Sequence, residues 1–287
     1  MILCILNFSL MGFILTHPTS KKQDAKIVKK EDKKSFTFVG VGDNLYHNTQ
    51  YMCQGQNEYY NFDSYYEMTN KYTQKADLAY INFETLCIGE EYGLSGYPTF
   101  NGPTEILSSV NKAGFDWWSL SSNHSMDRGV EGLLKQIELV RENYPDVITT
   151  GSHTSKKDKN RTLVKEINGI KVGFLGYTYG LNGFVLPEDK PWLVDLIDKD
   201  QMKKDMEALS KVSDIQLVSM HWGDEYQTYP NDEQQDLANY LNELGAEVVI
   251  GSHPHVIQPA EIIKGKKQDT LVYYSLGNYT STHDVDE

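Results

Sequence analysis

Residues 36–43 read Phe36-Thr-Phe-Val-Gly-Val-Gly-Asp43, an apolar run that opens into glycine and stops on a carboxylate. The same pattern returns in Leu78-Ala-Tyr-Ile-Asn-Phe-Glu84, Trp117-Trp-Ser-Leu-Ser-Ser-Asn123-His124, Ile215-Gln-Leu-Val-Ser-Met-His221 and Glu247-Val-Val-Ile-Gly-Ser-His253-Pro-His255. Short β-rich runs of this kind predict buried strands. Each ends on a residue able to bind a metal. In open α/β sheets the carboxyl ends of the strands share one crevice, so these residues are expected to meet in one site.

Working outward, strands are predicted at 36–41, 78–83, 117–121, 162–167, 171–177, 215–220, 247–250 and 270–276. Helices are predicted at 62–74, 104–113, 130–143, 200–212 and 232–244, where apolar residues recur at three- and four-residue spacing. Asn168-Gly169 between two β-rich runs reads as a tight hairpin, which makes the sheet mixed. The fold class is therefore α/β, with no internal repeat.

The 287 residues, 39% of them hydrophobic, suffice for a large core. Residues 1–20 carry no charged side chain of the Lys, Arg, Asp or Glu types, and 21–34 hold seven Lys against Asp24, Glu31 and Asp32. Removing those seven and three from the chain's 27 basic and 40 acidic residues leaves 20 against 37 from Ser35 onward. Such a body repels polyanions and excludes non-specific nucleic-acid binding. An anionic substrate needs local positive charge, which a bound metal supplies.

The apolar stretch Ile2 to Leu15 is shorter than the ~20 residues of a membrane span and fits a signal h-region. No Lys or Arg precedes it, so a cationic region is expected upstream of Met1. An N-terminal strand or core helix is the alternative use of that stretch. Residues 1–20 are thus read as a signal or anchor remnant, 21–34 as a Lys-rich linker, and 35–287 as the folded domain. Cys4, Cys53 and Cys87 match neither a disulfide framework nor a zinc motif, and Cys87 is expected to be buried and unpaired.

Carboxylate, imidazole and amide oxygen together suit Mn, Fe or Zn rather than the all-oxygen cages of Ca or Mg. His253 and His255 lie two residues apart; on extended chain they diverge and serve two adjacent ions rather than one. Glu84 is the candidate bridge between such ions. His124 follows Asn123, and Asp127 lies one helical turn further on, placed to fix the imidazole tautomer. The competing reading is that Asn123, Ser125 and Asp127 cap the helix that follows. Asp43 as a turn cap, Glu84 as a surface carboxylate and His221 as a core histidine are each the simpler reading when taken singly. Their joint occurrence at strand ends favours a metal site. Glu225, Tyr226 and Asn278 are candidate substrate contacts.

The motifs Val-Gly-Asp43, Ile-Asn-Phe-Glu84, Ser-Asn123-His124-Ser-Met-Asp-Arg-Gly, His221-Trp-Gly-Asp-Glu225-Tyr226, Gly-Ser-His253-Pro-His255-Val-Ile-Gln258 and Tyr-Ser-Leu-Gly-Asn278 resemble the CapA (PgsA) poly-γ-glutamate capsule-synthesis proteins. That family is similar to the metallophosphoesterases (calcineurin-like phosphoesterases), and the resemblance implies a four-layer αββα sandwich. It implies Asp43 and His255 on one ion, Asn123, His221 and His253 on the other, Glu84 between them, and His124 as a substrate-facing acid. Two departures stand out: Leu45 sits where the phosphoesterase pattern has histidine, and Glu84 where it has aspartate. Further strands are expected beyond Glu287. The function implied is an extracytoplasmic hydrolase, membrane-anchored or secreted, acting on an anionic polymer or a phosphorylated small substrate beside a membrane-bound capsule synthase. A non-catalytic assembly factor and a metal-dependent amidase on γ-glutamyl bonds remain open alternatives.

Overall fold

The computed structural model describes residues 4–7, 34–52 and 60–282. Strand β1 (Cys4–Asn7) runs antiparallel to the first half of β2 (Thr37–Asn44), so part of the expected signal remnant lies in a sheet. The rest of 1–20 and the linker residues 21–33 lie outside the described residues, as do 283–287. After the short helix α1 (Asn48–Met52) comes a 3-10 turn at Asp63–Tyr65, then α2 (Glu67–Thr73). The single helix expected over 62–74 is split because Tyr66 turns inward. Its hydroxyl donates to Asn44 Oδ1 at 2.9 Å in the core.

Strands β3 (Leu78–Phe83), β4 (Trp117–Ser119) and β5 (Ile148–Thr150) extend the sheet in parallel from β2, with α3 (Glu105–Lys112) and α4 (Gly129–Asn143) as crossovers. All six residues of β3 are buried, as expected of a parallel strand covered on both faces.

The second sheet starts beyond the one-turn helix α5 (Lys156–Lys159). Strands β6 (Leu163–Ile167) and β7 (Ile170–Thr178) form the expected hairpin, with Asn168 at φ 52° and Gly169 at φ 77°. Two positive-φ residues make a type I′ turn, whose twist matches the flanking strands. After α6 (Lys199–Leu209), β8 (Ile215–His221) pairs in parallel with β7. Helix α7 (Asp232–Leu244) has the predicted bounds, because Asn231 and Gln234 form a capping box and Gly245 closes the last turn at φ 108°. Strands β9 (Val248–Ser252), β10 (Ala260–Ile263) and β11 (Thr270–Tyr273) complete a sheet of order β10-β11-β9-β8-β7-β6.

The chain then returns to the first sheet as β12 (Asn278–Thr280), pairing with Asp43 and Asn44. This pairing carries β2 three residues past its predicted end and draws two polar side chains into the interior. Both are fully buried.

Three apolar cores define four layers. Phe38, Tyr80 and Trp117 of the first sheet face Val172, Phe174, Leu217 and Ile250 of the second. On the far side of the first sheet, Val41, Ile81 and Phe83 pack on Ile106 and Val110 of α3 and Leu133 and Ile137 of α4. On the far side of the second, Val218, Met220 and Val249 pack on Met202 and Met206 of α6 and Leu237 and Leu241 of α7. The αββα sandwich is therefore present, with both sheets mixed. Cys87 is buried and free. No helix among the described residues is long and apolar enough to cross a membrane.

Candidate metal centre at the strand carboxyl ends

Both sheets deliver their donors to one end of the sandwich. Asp43 lies near the end of β2, Glu84 directly follows β3, and Asn123 and His124 follow β4. From the other sheet, His221 ends β8 and His253 directly follows β9. Two glycines let the backbones close in: a Cβ on Gly42 would stand 1.8 Å from the Gly277 carbonyl oxygen, and one on Gly251 1.8 Å from that of Tyr274. No other residue fits either position without moving backbone.

His221, fully buried, sets the chemistry. The Ser252 hydroxyl lies 2.9 Å from His221 Nδ1 and 3.4 Å from the Met220 carbonyl oxygen. On the other side of the ring, Nε2 lies 2.8 Å from Asn123 Oδ1 and 3.6 Å from Glu84 Oε1. Burial, reinforced by neighbouring imidazoles, holds His221 neutral, well below the ordinary histidine range. Glu84 Oε1 and His253 Nδ1 are buried with no hydrogen-bond partner. Three donors and an amide oxygen thus converge in one buried place. Buried polar atoms left without a partner cost free energy unless a cation is present, and the donor set fits Mn, Fe or Zn.

A second group of donors adjoins the first. Asp43 Oδ2 lies 3.1 Å from His255 Nδ1, and Glu84 Oε1 lies 3.9 Å from His255 Nε2. Ligand atoms of Asp43, Glu84 and His255 lie within 4.8 Å of one another, as do those of Glu84, His221 and His253. Glu84 belongs to both groups. Its carboxyl is raised well above the usual range by burial and by Asp43. Burial also pushes His253 down to about 4. Burial alone would lower His255 too, but Glu84 and Asp43 lift it to about 9. Burial acts on all three groups, and the raised Glu84 and His255 also mark excess negative charge in the pocket, which a divalent cation relieves.

The His253-Pro-His255 turn is not extended as expected. His253 has φ 93° and His255 φ 60°, both in the region that favours glycine. The resulting bend brings the rings to 5.9 Å between centroids instead of splaying them. Strained backbone of this kind persists where the surroundings over-determine it, typically at functional sites.

His124 and Asp127 form a separate pair at the mouth. His124 Nδ1 lies 2.8 Å from Asp127 Oδ2, which also accepts from the Phe100 N–H at 2.6 Å. Asp127 does not cap α4, whose N-terminal residue Arg128 makes no side-chain cap. The Ser125 hydroxyl donates to the Leu120 carbonyl. The capping alternative therefore fails for these side chains.

The structure brings Asp43, Glu84, Asn123, His221, His253 and His255 together and sets His124 beside them. Asn278 Oδ1 accepts from His255 Nδ1 at 2.9 Å and so orients a donor. Glu225 and Tyr226 stand exposed at the rim, the Tyr226 ring 6.2 Å from that of His255. Three residues were missed by sequence reasoning. Asn82 Nδ2 donates to Asp43 Oδ1 at 2.9 Å and Glu84 Oε2 at 3.3 Å, steering both carboxylates. The Tyr179 ring covers His253 at 4.5 Å, and Asn182 Oδ1 accepts from Asn123 Nδ2 at 3.2 Å. Asn82, a polar residue inside an apolar strand, was the one legible signal.

His153, Asp195, Lys159 and Asp205 form a further buried cluster away from this centre. Lys159 bridges the two carboxylates at 2.8 and 2.9 Å, and His153 Nε2 pairs with Asp195 at 2.8 Å. Each of its charged groups has a partner within the cluster, so it reads as a structural network.

The family described as "Bacterial capsule synthesis protein PGA_cap" matches residues 37–283. The PGA biosynthesis protein CapA of Bacillus subtilis (strain 168) is 33% identical over 177 residues, 61% of this chain and 44% of that protein. The capsule biosynthesis protein CapA of Bacillus anthracis is 29% identical over 179 residues, 61% of this chain and 42% of that protein. The match thus spans less than half the length of either relative. Among solved structures, a Staphylococcus aureus protein assigned by name as a 5'-nucleotidase, in complex with alpha-ketoglutarate, aligns with TM-score 0.54 at 16% identity, covering 84% of this chain and 48% of that one. A hypothetical protein from Thermus thermophilus aligns with TM-score 0.51 at 18% identity, covering 84% and 75%. These two likenesses concern the fold alone. With the family match running from β2 through β12, the chain belongs to the bacterial capsule synthesis protein family PGA_cap, on a metallophosphoesterase-like fold.

Proposed function

We propose that this chain is a metal-dependent hydrolase of the phosphoesterase type, contributing outside the cytoplasmic membrane to synthesis, release or export of an anionic capsule polymer such as poly-γ-glutamate. One observation carries the reading: His221 Nε2, Glu84 Oε1, His253 Nδ1 and Asn123 Oδ1 converge in a buried pocket where Glu84 Oε1 and His253 Nδ1 have no hydrogen-bond partner. Glu84, Asn123, His221 and His253 would hold one divalent ion, and Asp43, Glu84 and His255 a second. Such an ion supplies Lewis-acid polarisation of a phosphoryl oxygen.

The chain's own groups supply the rest. Asn82 fixes both carboxylates by its amide hydrogens. Asp127 holds the Nδ1 proton of His124, leaving Nε2 as the atom from which a proton passes to a leaving-group oxygen. The Tyr179 ring over His253 screens the pocket from water.

The test is hydrolysis of an aryl phosphate by the purified chain with Mn, Fe or Zn, compared with His253→Ala and Glu84→Ala. Activity in the wild type alone is expected; equal activity in all three, or none in any, counts against the reading. Leu45, buried and without a donor, favours a second reading, a non-catalytic assembly factor that binds a membrane-bound capsule synthase. That protein would take up metal yet turn over neither the phosphate nor a γ-glutamyl amide. The extracytoplasmic placement rests on the apolar run Ile2 to Leu15 and the Lys-rich segment after it, and recovery of the protein solely from cytosol would sink it.

A further inference from the structure

The Asp43, Glu84 and His255 group offers three donors, fewer than the four or more that Mn, Fe or Zn takes. Leu45, in the turn after Asp43, is 1% exposed and contributes none. At least one coordination position is therefore left for water, substrate or a further side chain of the cleft.

Glu225 stands on its solvent side. One carboxylate oxygen lies within 4.8 Å of a ring nitrogen of both His253 and His255, and those nitrogens lie equally close to each other. The placement is built rather than incidental. The Tyr226 N–H donates to the Pro254 carbonyl at 2.8 Å, tying the loop after β8 to the turn between the two histidines. Gly223 at φ 87° and Tyr226 at φ 63° bend that loop back over the cleft. Asp224 Oδ2 accepts from Asn231 Nδ2 at 2.7 Å, directing the neighbouring side chain to the start of α7 and leaving Glu225 toward the imidazoles. Among the described residues no Lys or Arg forms an ion pair with Glu225, although surface carboxylates of this chain elsewhere do.

We propose that Glu225 is a ligand of the divalent cation held at His255, supplying from the rim the donor that Leu45 does not. The inference rests on the cleft being a metal centre. It makes the His-Trp-Gly-Asp-Glu loop part of the coordination cage, with a carboxylate that is exposed and free to swing.

Titration of the chelator-stripped full chain with Mn2+ by calorimetry, with a metal count on the loaded protein, tests it. Wild type, Glu225→Gln, Glu225→Asp and His221→Ala are compared. Glu225→Gln is expected to lose one ion from the count or to bind Mn2+ about tenfold more weakly or worse, as loss of a partner in a metal site typically does. Glu225→Asp restores part of that affinity, and the metal-free melting of Glu225→Gln matches wild type because the side chain is exposed. An affinity within threefold of wild type and an unchanged count overturn the inference, whatever happens to KM. The two readings fail separately: a wild type that takes up no metal sinks the metal centre itself. Uptake weakened by His221→Ala but indifferent to Glu225→Gln sinks only the role of Glu225.

Discussion

A single proton on Ser252 decides what His221 is. Were the hydroxyl to donate to Nδ1, Nε2 would carry hydrogen and the contact with Asn123 would be an ordinary core hydrogen bond. Where the hydroxyl donates to the Met220 carbonyl instead, the ring becomes a Lewis base aimed at two oxygens. His124 lies outside that donor set, and its contribution is separable from metal binding. His124→Ala should lower kcat about 10²-fold or more on an alkyl phosphate, where the leaving group needs a proton, and much less on a nitrophenyl ester. Metal content should not change, and an equal loss on both esters would remove His124 from the acid role. At this scale the strand-end residues were legible because apolar runs stopped on them. Orientation was not: the bend at His253 and His255 is invisible in Gly-Ser-His-Pro-His, whose alternation reads as extended chain. Tyr179 and Asn182 carry no local pattern, since their neighbours Asn123 and His253 lie more than fifty residues away in sequence.

Elements met their predicted positions where local signals were strong, as at α7 with its capping box, and failed where strands were short. β5, β10 and β12 have three or four residues each, too few for periodicity, and β12 exists only because β2 offers Asp43 and Asn44 as pairing partners. The same closeness makes a glycine prediction. Gly251→Ala forces a Cβ into the Tyr274 carbonyl and should cost about 2–3 kcal/mol or more, read as a lower urea midpoint. Gly180→Ala meets nothing within 4 Å and should stay within about 0.5 kcal/mol of wild type. Equal midpoints for the two would refute the packing of β9 against residues 274–277. A pH effect belongs to the start of the same strand pair. Glu247 Oε2 accepts from the Gln216 N–H at 2.7 Å, yet burial pushes its carboxyl from 4.5 up to about 7. Between those values the folded chain keeps a proton that the unfolded chain releases. Stability from this group is therefore full below about 4.5 and is lost as pH rises through 7, by something on the order of 2 kcal/mol. Glu247→Gln keeps an acceptor oxygen for Gln216 and should flatten that slope when urea midpoints at pH 5 and pH 7.5 are compared with wild type. An identical slope in the variant would place the titration elsewhere.

Across the whole molecule, the two sheets contribute unlike halves of the centre. Asp43, Glu84 and Asn123 come from the first, and His221, His253 and His255 from the second. A chain of formal net charge −13 also buries carboxylates side by side here, an electrostatic penalty that a cation removes. An ion held between them would cross-link layers otherwise joined by the apolar contacts of Phe38, Tyr80 and Trp117 with the facing strands. Binding that favours the folded state adds RT ln(1 + [L]/Kd), about 2.7 kcal/mol at a hundredfold excess over Kd. For a domain of this size that raises Tm by about 5–10 °C. Scanning calorimetry with Mn2+ and then with chelator should show this gap in the wild type. His221→Ala should show a smaller gap than the wild type, because it loses the increment of one ion and keeps the site at Asp43, Glu84 and His255. A wild type that melts identically with chelator and with Mn2+ would mean that no ion joins the sheets, leaving Glu84 Oε1 and His253 Nδ1 buried without the partner their burial calls for.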